Sequence, residues 1–164
     1  MIKKALLGAV ALAVAGLAPA FAQTTYGPAS PSINVPISGV LPKACQISSF
    51  VNGPLNAINL SSTTVQGSES ATVTCNYGGS ATVAISSANG GALKRSGGSE
   101  TIAYNFFLSG SPFSSGVSLA STQTWTGWPA VVGDQTRSYS VQLASAAVVA
   151  GTYEDTLTFT VTPN

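Results

Sequence analysis

An alternation of apolar and mostly hydroxyl-bearing residues near the C-terminus constrains the fold more than any other feature. The apolar positions are Tyr153, Leu157, Phe159 and Val161. Threonines dominate the positions between them. Successive side chains of a β-strand point to opposite faces, so this period of two predicts a strand with one face on a core and the other in water. No segment after residue 22 shows the periodicity of an amphipathic helix.

The same period of two recurs along the chain, and residues typical of turns separate the repeats. The alternating apolar positions are Val73 and Cys75, Val83 and Ile85, Ile102, Tyr104, Phe106 and Leu108, and Tyr139, Val141 and Leu143. Shorter strands are predicted around Ile47, Leu55, Ile58 and Leu60. Turns rich in Asn, Ser and Gly fall at 76–79, 89–91 and 96–98. Many short strands joined in this way predict an all-β fold, and specifically a β-sandwich.

The N-terminus has the three regions of a secretory signal peptide. Lys3 and Lys4 are basic, Ala5 to Leu17 is apolar, and Ala20-Phe21-Ala22 has the form of a cleavage site. We therefore predict a signal peptide over residues 1–22, cleaved before Gln23. The alternative is a membrane anchor, but a run of about 13 apolar residues is shorter than the ~20 that span a bilayer. The prediction is an exported protein with no direct membrane insertion.

Export decides how the two cysteines, Cys45 and Cys75, are interpreted. In an oxidising compartment an even pair is most simply a disulfide. Two free buried thiols are the alternative, which export disfavours. We therefore predict a disulfide between Cys45 and Cys75.

The sequence lacks the residues that several classes of function require. The sequence contains no histidine, which removes the commonest general base and metal ligand. Adjacent Glu154 and Asp155 would point to opposite faces of a strand and form no catalytic pair. After residue 22 the four basic side chains nearly balance the five acidic ones, so no basic patch for nucleic acid is expected. We predict a non-enzymatic protein with no cofactor, no metal site and no nucleic-acid partner.

Two segments have the character of binding surfaces. In the segment 125–129, Trp125 and Trp128 would either stack on sugar rings or cover one end of the sandwich. Near the N-terminus, Ile33, Val35 and Ile37 alternate with polar residues and Pro36. Such a segment either pairs within its own domain or adds a strand to another molecule.

These pieces together resemble the spore coat protein U / archaic chaperone–usher pilin family. The matching segments are Ile33 to Leu41, Cys45, Thr72-Val73-Thr74-Cys75, Ile102-Ala103-Tyr104-Asn105, and Ala150 to Val161. The resemblance covers essentially the whole chain after residue 22, and the terminal motif Ala-Gly-Thr-Tyr-x-Asp-Thr-Leu is its most specific part. Cysteine spacing alone would be a weak signal.

The resemblance implies an immunoglobulin-like sandwich that lacks its last strand and is completed by donor-strand exchange. It makes Ile33, Val35 and Ile37 the donor side chains. The implied wall of the acceptor groove is Tyr153, Leu157, Phe159 and Val161. Pro36 lies inside the implied donor strand and cannot donate a ladder hydrogen bond. The domains are then a signal peptide at 1–22, a leader and donor strand at 23–41, and a pilin domain at 42–164.

The implied function is a structural subunit of a surface pilus with a role in adhesion and biofilm. Its implied partners are copies of itself or related subunits, a periplasmic chaperone and an outer-membrane usher. Its implied route leads through the periplasm to the cell surface. Two alternatives remain, a secreted or tip carbohydrate-binding module that uses Trp125 and Trp128, and a spore or cell-coat protein of the same fold.

Overall fold

A computed structural model describes residues 34–50 and 54–164 of the chain. Its contacts divide the chain into two units, Met1–Gly39 and Val40–Asn164. In the first unit, the described residues 34–39 are exposed and belong to no helix or strand. The signal peptide predicted at 1–22 and most of the leader lie outside the described residues, and the predicted domain boundaries remain a prediction.

The second unit is almost entirely β-structure. Its strands are β1 (Cys45–Phe50), β2 (Val65–Cys75), β3 (Gly79–Ser87), β4 (Ala92–Arg95), β5 (Thr101–Leu108), β6 (Val117–Ser118), β7 (Gln123–Ala130), β8 (Gly133–Leu143), β9 (Tyr153–Glu154) and β10 (Leu157–Pro163). One short 3₁₀ helix, Pro54–Ala57, follows β1. The alternation in the sequence therefore predicted the all-β character of this unit correctly.

The strands form two sheets of unequal size. The large sheet has the order β1-β2-β8-β5-β4-β9, with β6 beside β5, and the small sheet has the order β10-β3-β7. The ladders between these strands are antiparallel. One face of each sheet contributes to a shared core, which confirms the predicted β-sandwich.

Alternate residues of the long strands meet in this core. The buried members include Val73, Val83, Ile85, Ile102, Tyr104, Phe106, Leu108, Tyr139, Val141 and Leu143, all predicted from the alternation. Phe159 joins the two layers, because its ring centroid lies 5.8 Å from that of Phe106 and 5.4 Å from that of Tyr139. Burying each large apolar side chain contributes about 1.5–3 kcal/mol, so this alternation supplies most of the driving force for folding.

Two details of the predicted strands were wrong. Leu55 lies in the 3₁₀ helix, and Ile58 and Leu60 lie in irregular chain rather than in a strand. Pro54 favours this helical turn, because its ring fixes φ and its missing N–H is not needed in a first turn. The terminal alternation is also not one strand. It divides between β9 in the large sheet and β10 in the small sheet, with Asp155 at the division.

The structure confirms the disulfide between Cys45 and Cys75. These two residues are directly opposite each other on β1 and β2, with Cα atoms 4.2 Å apart. That separation is typical of a non-hydrogen-bonded pair in an antiparallel ladder. The disulfide therefore ties the edge strand β1 to the rest of the large sheet.

Removing the disulfide should destabilise the fold measurably. On the chain-entropy model, closing a loop with a separation of 30 residues contributes about 3–4 kcal/mol. We expect the Cys45→Ala/Cys75→Ala double variant to lose that amount in its free energy of unfolding, measured by urea titration. The unsubstituted chain in a reducing agent serves as the matched control and should lose a similar amount. An unchanged urea midpoint in both samples would show that β1 does not depend on the cross-link.

Candidate functional site

Strand β10 forms one edge of the small sheet and has two chemically different faces. Leu157, Phe159 and Val161 point toward the core but are only partly buried, whereas the threonines between them are exposed. On the neighbouring strand β3, Val83 and Ile85 occupy the equivalent inward positions and are almost fully buried. The core is therefore less completely covered along β10 than along β3.

The backbone of β10 has hydrogen-bonding groups on the side away from β3. Along an antiparallel ladder, residue pairs that are hydrogen-bonded to each other alternate with pairs that are not. The N–H of Ala88 donates to the carbonyl of Thr156 at 2.9 Å, which places Thr158 and Thr160 at bonded positions in the same register. Leu157 and Val161 consequently direct their N–H and C=O groups away from β3. Among the described strands, only β3 pairs with β10.

Strand β1 presents a similar edge on the large sheet. The N–H of Asn76 donates to the carbonyl of Ala44 at 3.1 Å, so Ala44 is at a bonded position. Cys45 and Ile47 then fall at non-bonded positions of the ladder with β2. Their backbone groups point outward, away from β2. β1 and β10 approach each other across the side of the sandwich without forming a ladder.

A cleft opens between the segment that follows β1 and the chain around β9. A space of about 340 Å³ lies between the segment Leu55–Leu60 and the residues around Tyr153. A smaller pocket of about 70 Å³ adjoins it and extends to Leu157. The two spaces share Leu55, Ile58 and Leu93 in their linings. The cleft therefore runs between the chain that follows β1 and the chain that forms β9 and β10.

Asp155 fixes one wall of this cleft. Its Oδ2 atom accepts hydrogen bonds from the Tyr104 hydroxyl at 2.5 Å and the Ser87 hydroxyl at 2.6 Å. Its Oδ1 atom accepts from the backbone N–H groups of Asn89 at 3.0 Å and Thr156 at 2.8 Å. One carboxylate thus joins β3, β5 and the start of β10. This network explains why the chain crosses between the sheets at Asp155.

Glu69 has the corresponding role on the opposite wall. Its Oε2 atom accepts a hydrogen bond from the Tyr139 hydroxyl at 2.6 Å, and its Oε1 atom accepts from the N–H of Leu55 at 2.9 Å. The carboxylate thereby holds the 3₁₀ helix against the large sheet. Sequence reasoning missed this residue, although the signal was present. Glu69 occupies the same parity on β2 as the buried residues Ala71 and Val73.

Both tyrosines of these pairs are held in the neutral form. Burial raises the pKa of Tyr104 above its usual value, and the hydrogen bond to Asp155 raises it further. Burial likewise raises the pKa of Tyr139, with a further contribution from its hydrogen bond to Glu69. In each pair the hydroxyl proton is the donor to a carboxylate, so its loss would leave two adjacent negative charges.

The described part of the predicted donor segment is available for contact. The exposed fraction of the side chain is 72% for Val35 and 95% for Ile37. Ile33 lies outside the described residues. The assignment of these three residues as donors remains a prediction.

The two tryptophans lie on β7, and their surroundings differ from an open platform. Trp128 is only 2% exposed and belongs to the core. The partly buried Trp125 contacts it edge to face, with ring centroids 5.4 Å apart. The guanidinium of Arg137 lies 4.9 Å from the Trp128 centroid and 5.3 Å from the Trp125 centroid. A sugar-binding role for this pair remains a prediction, and the burial of Trp128 leaves Trp125 as the accessible ring.

Across residues 34–50 and 54–164, no three His, Cys, Asp or Glu side chains come together as metal ligands. In the same ranges, no helix has the length and apolar character needed to cross a bilayer.

Comparisons with known proteins point to one family. The family model of the Spore Coat Protein U domain matches residues 32–160. A chain in the crystal structure of the CsuC–CsuE chaperone–tip adhesion subunit pre-assembly complex, from archaic chaperone–usher Csu pili of Acinetobacter baumannii, has a similar fold with a TM-score of 0.50 and 21% sequence identity. The match covers 74% of this chain but 40% of that chain. The search of curated proteins gave no match.

The two buried tyrosines predict a loss of stability in alkali. A tyrosine whose pKa is raised by folding stabilises the fold fully below its unfolded pKa of about 10, and this contribution falls as the pH rises through and beyond 10. We expect the free energy of unfolding to fall above pH 10 by up to ~1.4 kcal/mol per pH unit for each tyrosine. Urea titrations between pH 8 and 11, without thiols, measure this slope.

The matched variants are Tyr104→Phe and Tyr139→Phe, which remove the hydroxyl and retain the ring. Each should be less stable at pH 8, because a partly buried carboxylate loses one of its hydrogen-bond donors. Each should also show a shallower alkaline slope than the unsubstituted chain. An identical slope in the Tyr104→Phe/Tyr139→Phe double variant would contradict the assignment of this pH dependence to the two pairs.

Proposed function

Because the chain belongs to the Spore Coat Protein U domain family, we propose that it is a structural subunit of a chaperone–usher surface pilus that polymerises by donor-strand complementation. The observation that carries this proposal is the edge formed by β10. Leu157 and Val161 direct backbone groups away from β3, and their side chains are only partly buried. Such an edge needs a strand beside it, because exposed strand edges readily pair with another chain.

The segment around Ile37 has the properties of the missing strand. Val35 and Ile37 are aliphatic, share one parity and are largely exposed. Inserted between β1 and β10, their side chains would cover the half-open core. Each would contribute about 1.5–3 kcal/mol by burial, before the cost of ordering the segment.

Pro36 restricts the register of this insertion. An edge strand bonds to its neighbour through every second residue, and proline has no N–H to donate. The register that turns Val35 and Ile37 toward the core lets them bond to β10, while the Pro36 nitrogen faces β1 and leaves one hydrogen bond of that ladder unmade. This places the odd-numbered residues of the donor against the outward groups of Leu157 and Val161.

A chain that both lends and receives a strand forms an open assembly. The contact joins the donor segment of one copy to the β10 edge of another, so the two copies contribute different surfaces. Contacts of this head-to-tail kind form fibres unless a rotation closes them into a ring. We propose that a periplasmic chaperone first covers the β10 edge, that the next subunit then replaces it, and that an outer-membrane usher exports the fibre to the cell surface.

Adhesion and biofilm formation complete the proposed role, since a fibre on the cell surface presents many copies of one domain. A carbohydrate-binding module that uses both tryptophans is less well supported, because Trp128 is buried and the Trp125 ring lies against Arg137. A spore or cell-coat protein of the same fold would use the same β10 edge for assembly.

A truncated chain and a synthetic peptide test the donor assignment. We expect a chain that lacks residues 23–38 to bind a peptide of residues 31–42, with a rise in its thermal midpoint. Val35→Asp in the peptide should weaken binding by about 100-fold or more, because an aspartate would enter an apolar groove. Asn34→Asp adds the same charge at the neighbouring position of the opposite parity and should have little effect. Isothermal calorimetry measures both affinities.

Polymerisation of the truncated chain would contradict the donor assignment. If the chain without residues 23–38 formed fibres as well as the intact chain does, this segment would not be the donor. Equal losses for Val35→Asp and Asn34→Asp would exclude a strand with one face in the groove.

A further inference from the structure

A second concave surface lies on the large sheet, on the face turned away from the core. It is a cup of about 230 Å³, which we call the serine cup, and it is lined by Ser68, Phe107, Ser109, Ser114, Ser138 and Ser140. We propose that the serine cup binds one ring of a neutral sugar. The proposal concerns a surface of the folded domain and does not depend on polymerisation.

The shape of the cup follows from local irregularities in the sheet. The ladder between β2 and β8 shifts register between Gln66 and Glu69, where Gly67 adopts a φ of 65°. This bulge displaces Ser68 from the regular strand and makes it one wall. The loop that joins β5 to β6 makes the opposite wall, and the paired residues Phe107 and Ser140 lie between them.

A glycine fixes the aromatic ring. A Cβ atom on Gly116 would lie 2.7 Å from the Phe107 ring, so any other residue there would displace the ring or the loop. Gly116 also adopts a φ of 92°, which favours glycine. The ring is therefore held by the loop on one side and remains partly exposed. Such a held aromatic ring loses little conformational freedom when a ligand binds.

The hydroxyl groups of the cup are available to a ligand. Within the described ranges, those of Ser68, Ser114, Ser138 and Ser140 form no hydrogen bond to protein. The Ser109 hydroxyl accepts from the N–H of Ser138 at 3.0 Å. Each serine hydroxyl can both donate and accept, which matches the hydroxyls of a sugar. An ionised ligand would have no opposite charge in this lining.

Size and composition select the ligand class. Sites for drug-sized ligands have volumes of about 300–1,000 Å³, so the cup takes a smaller group such as a single pyranose ring. The apolar C–H face of such a ring stacks on an aromatic side chain, while its hydroxyls bond to the surrounding polar groups. Phe107 supplies the aromatic surface and the serines supply the polar rim. The tryptophans on β7 combine these features less well, because Trp128 is buried.

A single shallow cup would bind a sugar weakly, but many copies of the cup on one fibre would bind a surface more strongly. If the chain polymerises as proposed above, each fibre presents the cup many times, and multivalent contacts with a glycan-covered surface strengthen binding by avidity. The affinity of one cup is independent of that step, so the test does not require fibres.

Saturation-transfer NMR on the full exported chain tests the proposal directly. The probes are the methyl glycosides of glucose, galactose and mannose. We expect saturation transfer to at least one of them. Phe107→Leu keeps apolar bulk but removes the ring and should weaken binding about 10-fold. Ser140→Ala, which removes one exposed hydroxyl with little risk to folding, should weaken it several-fold.

Matched substitutions outside the cup distinguish binding at the cup from binding elsewhere on the domain. Ser86→Ala makes the same change on the outer face of the small sheet and should leave binding unchanged. The absence of transfer to all three glycosides would overturn the proposal. So would binding that survives both Phe107→Leu and Ser140→Ala, including binding that is lost only on Trp125→Leu. Because fibre formation is not measured here, failure of this test leaves the proposed pilus function unaffected.

Discussion

The requirement that β10 acquire a neighbour on its open side governs the proposed behaviour of this protein. The small sheet has three strands, whereas the large sheet has six strands in the order β1-β2-β8-β5-β4-β9. Phe159 and its neighbours therefore cover the core only partly. The backbone groups of Leu157 and Val161 face the same open side, so one added strand would satisfy both the apolar surface and the backbone.

The walls of the adjoining cleft are held by two partly buried carboxylates. Asp155 fixes the crossing from the large sheet to β10, and Glu69 holds the 3₁₀ helix against the large sheet. The disulfide ties β1 to β2 near one end of the sandwich. In the proposed assembly an acceptor that is already ordered would spend little free energy on rearrangement, so the ordering cost of association would fall mainly on the segment around Ile37.

Alternation in the sequence predicted β2, β3, β5 and β8 with their core residues, because a buried sheet face imposes a period of two on each strand. It did not predict the 3₁₀ helix at Leu55 or the division of the terminal strand at Asp155, since both depend on hydrogen bonds to residues distant in the sequence. The disulfide was predictable from the compartment. The serine cup was not, because it forms where a bulge, a loop and Phe107 meet.

Amide hydrogen exchange along β10 tests the central claim most directly. The full exported chain is compared before and after polymerisation. The account predicts that Thr158 and Thr160, which bond to β3, are protected in both states. Leu157 and Val161 should exchange rapidly before assembly and become protected afterwards. Strong protection of Leu157 and Val161 in the unassembled chain, or no change on assembly, would show that β10 already has its partner strand or never receives one.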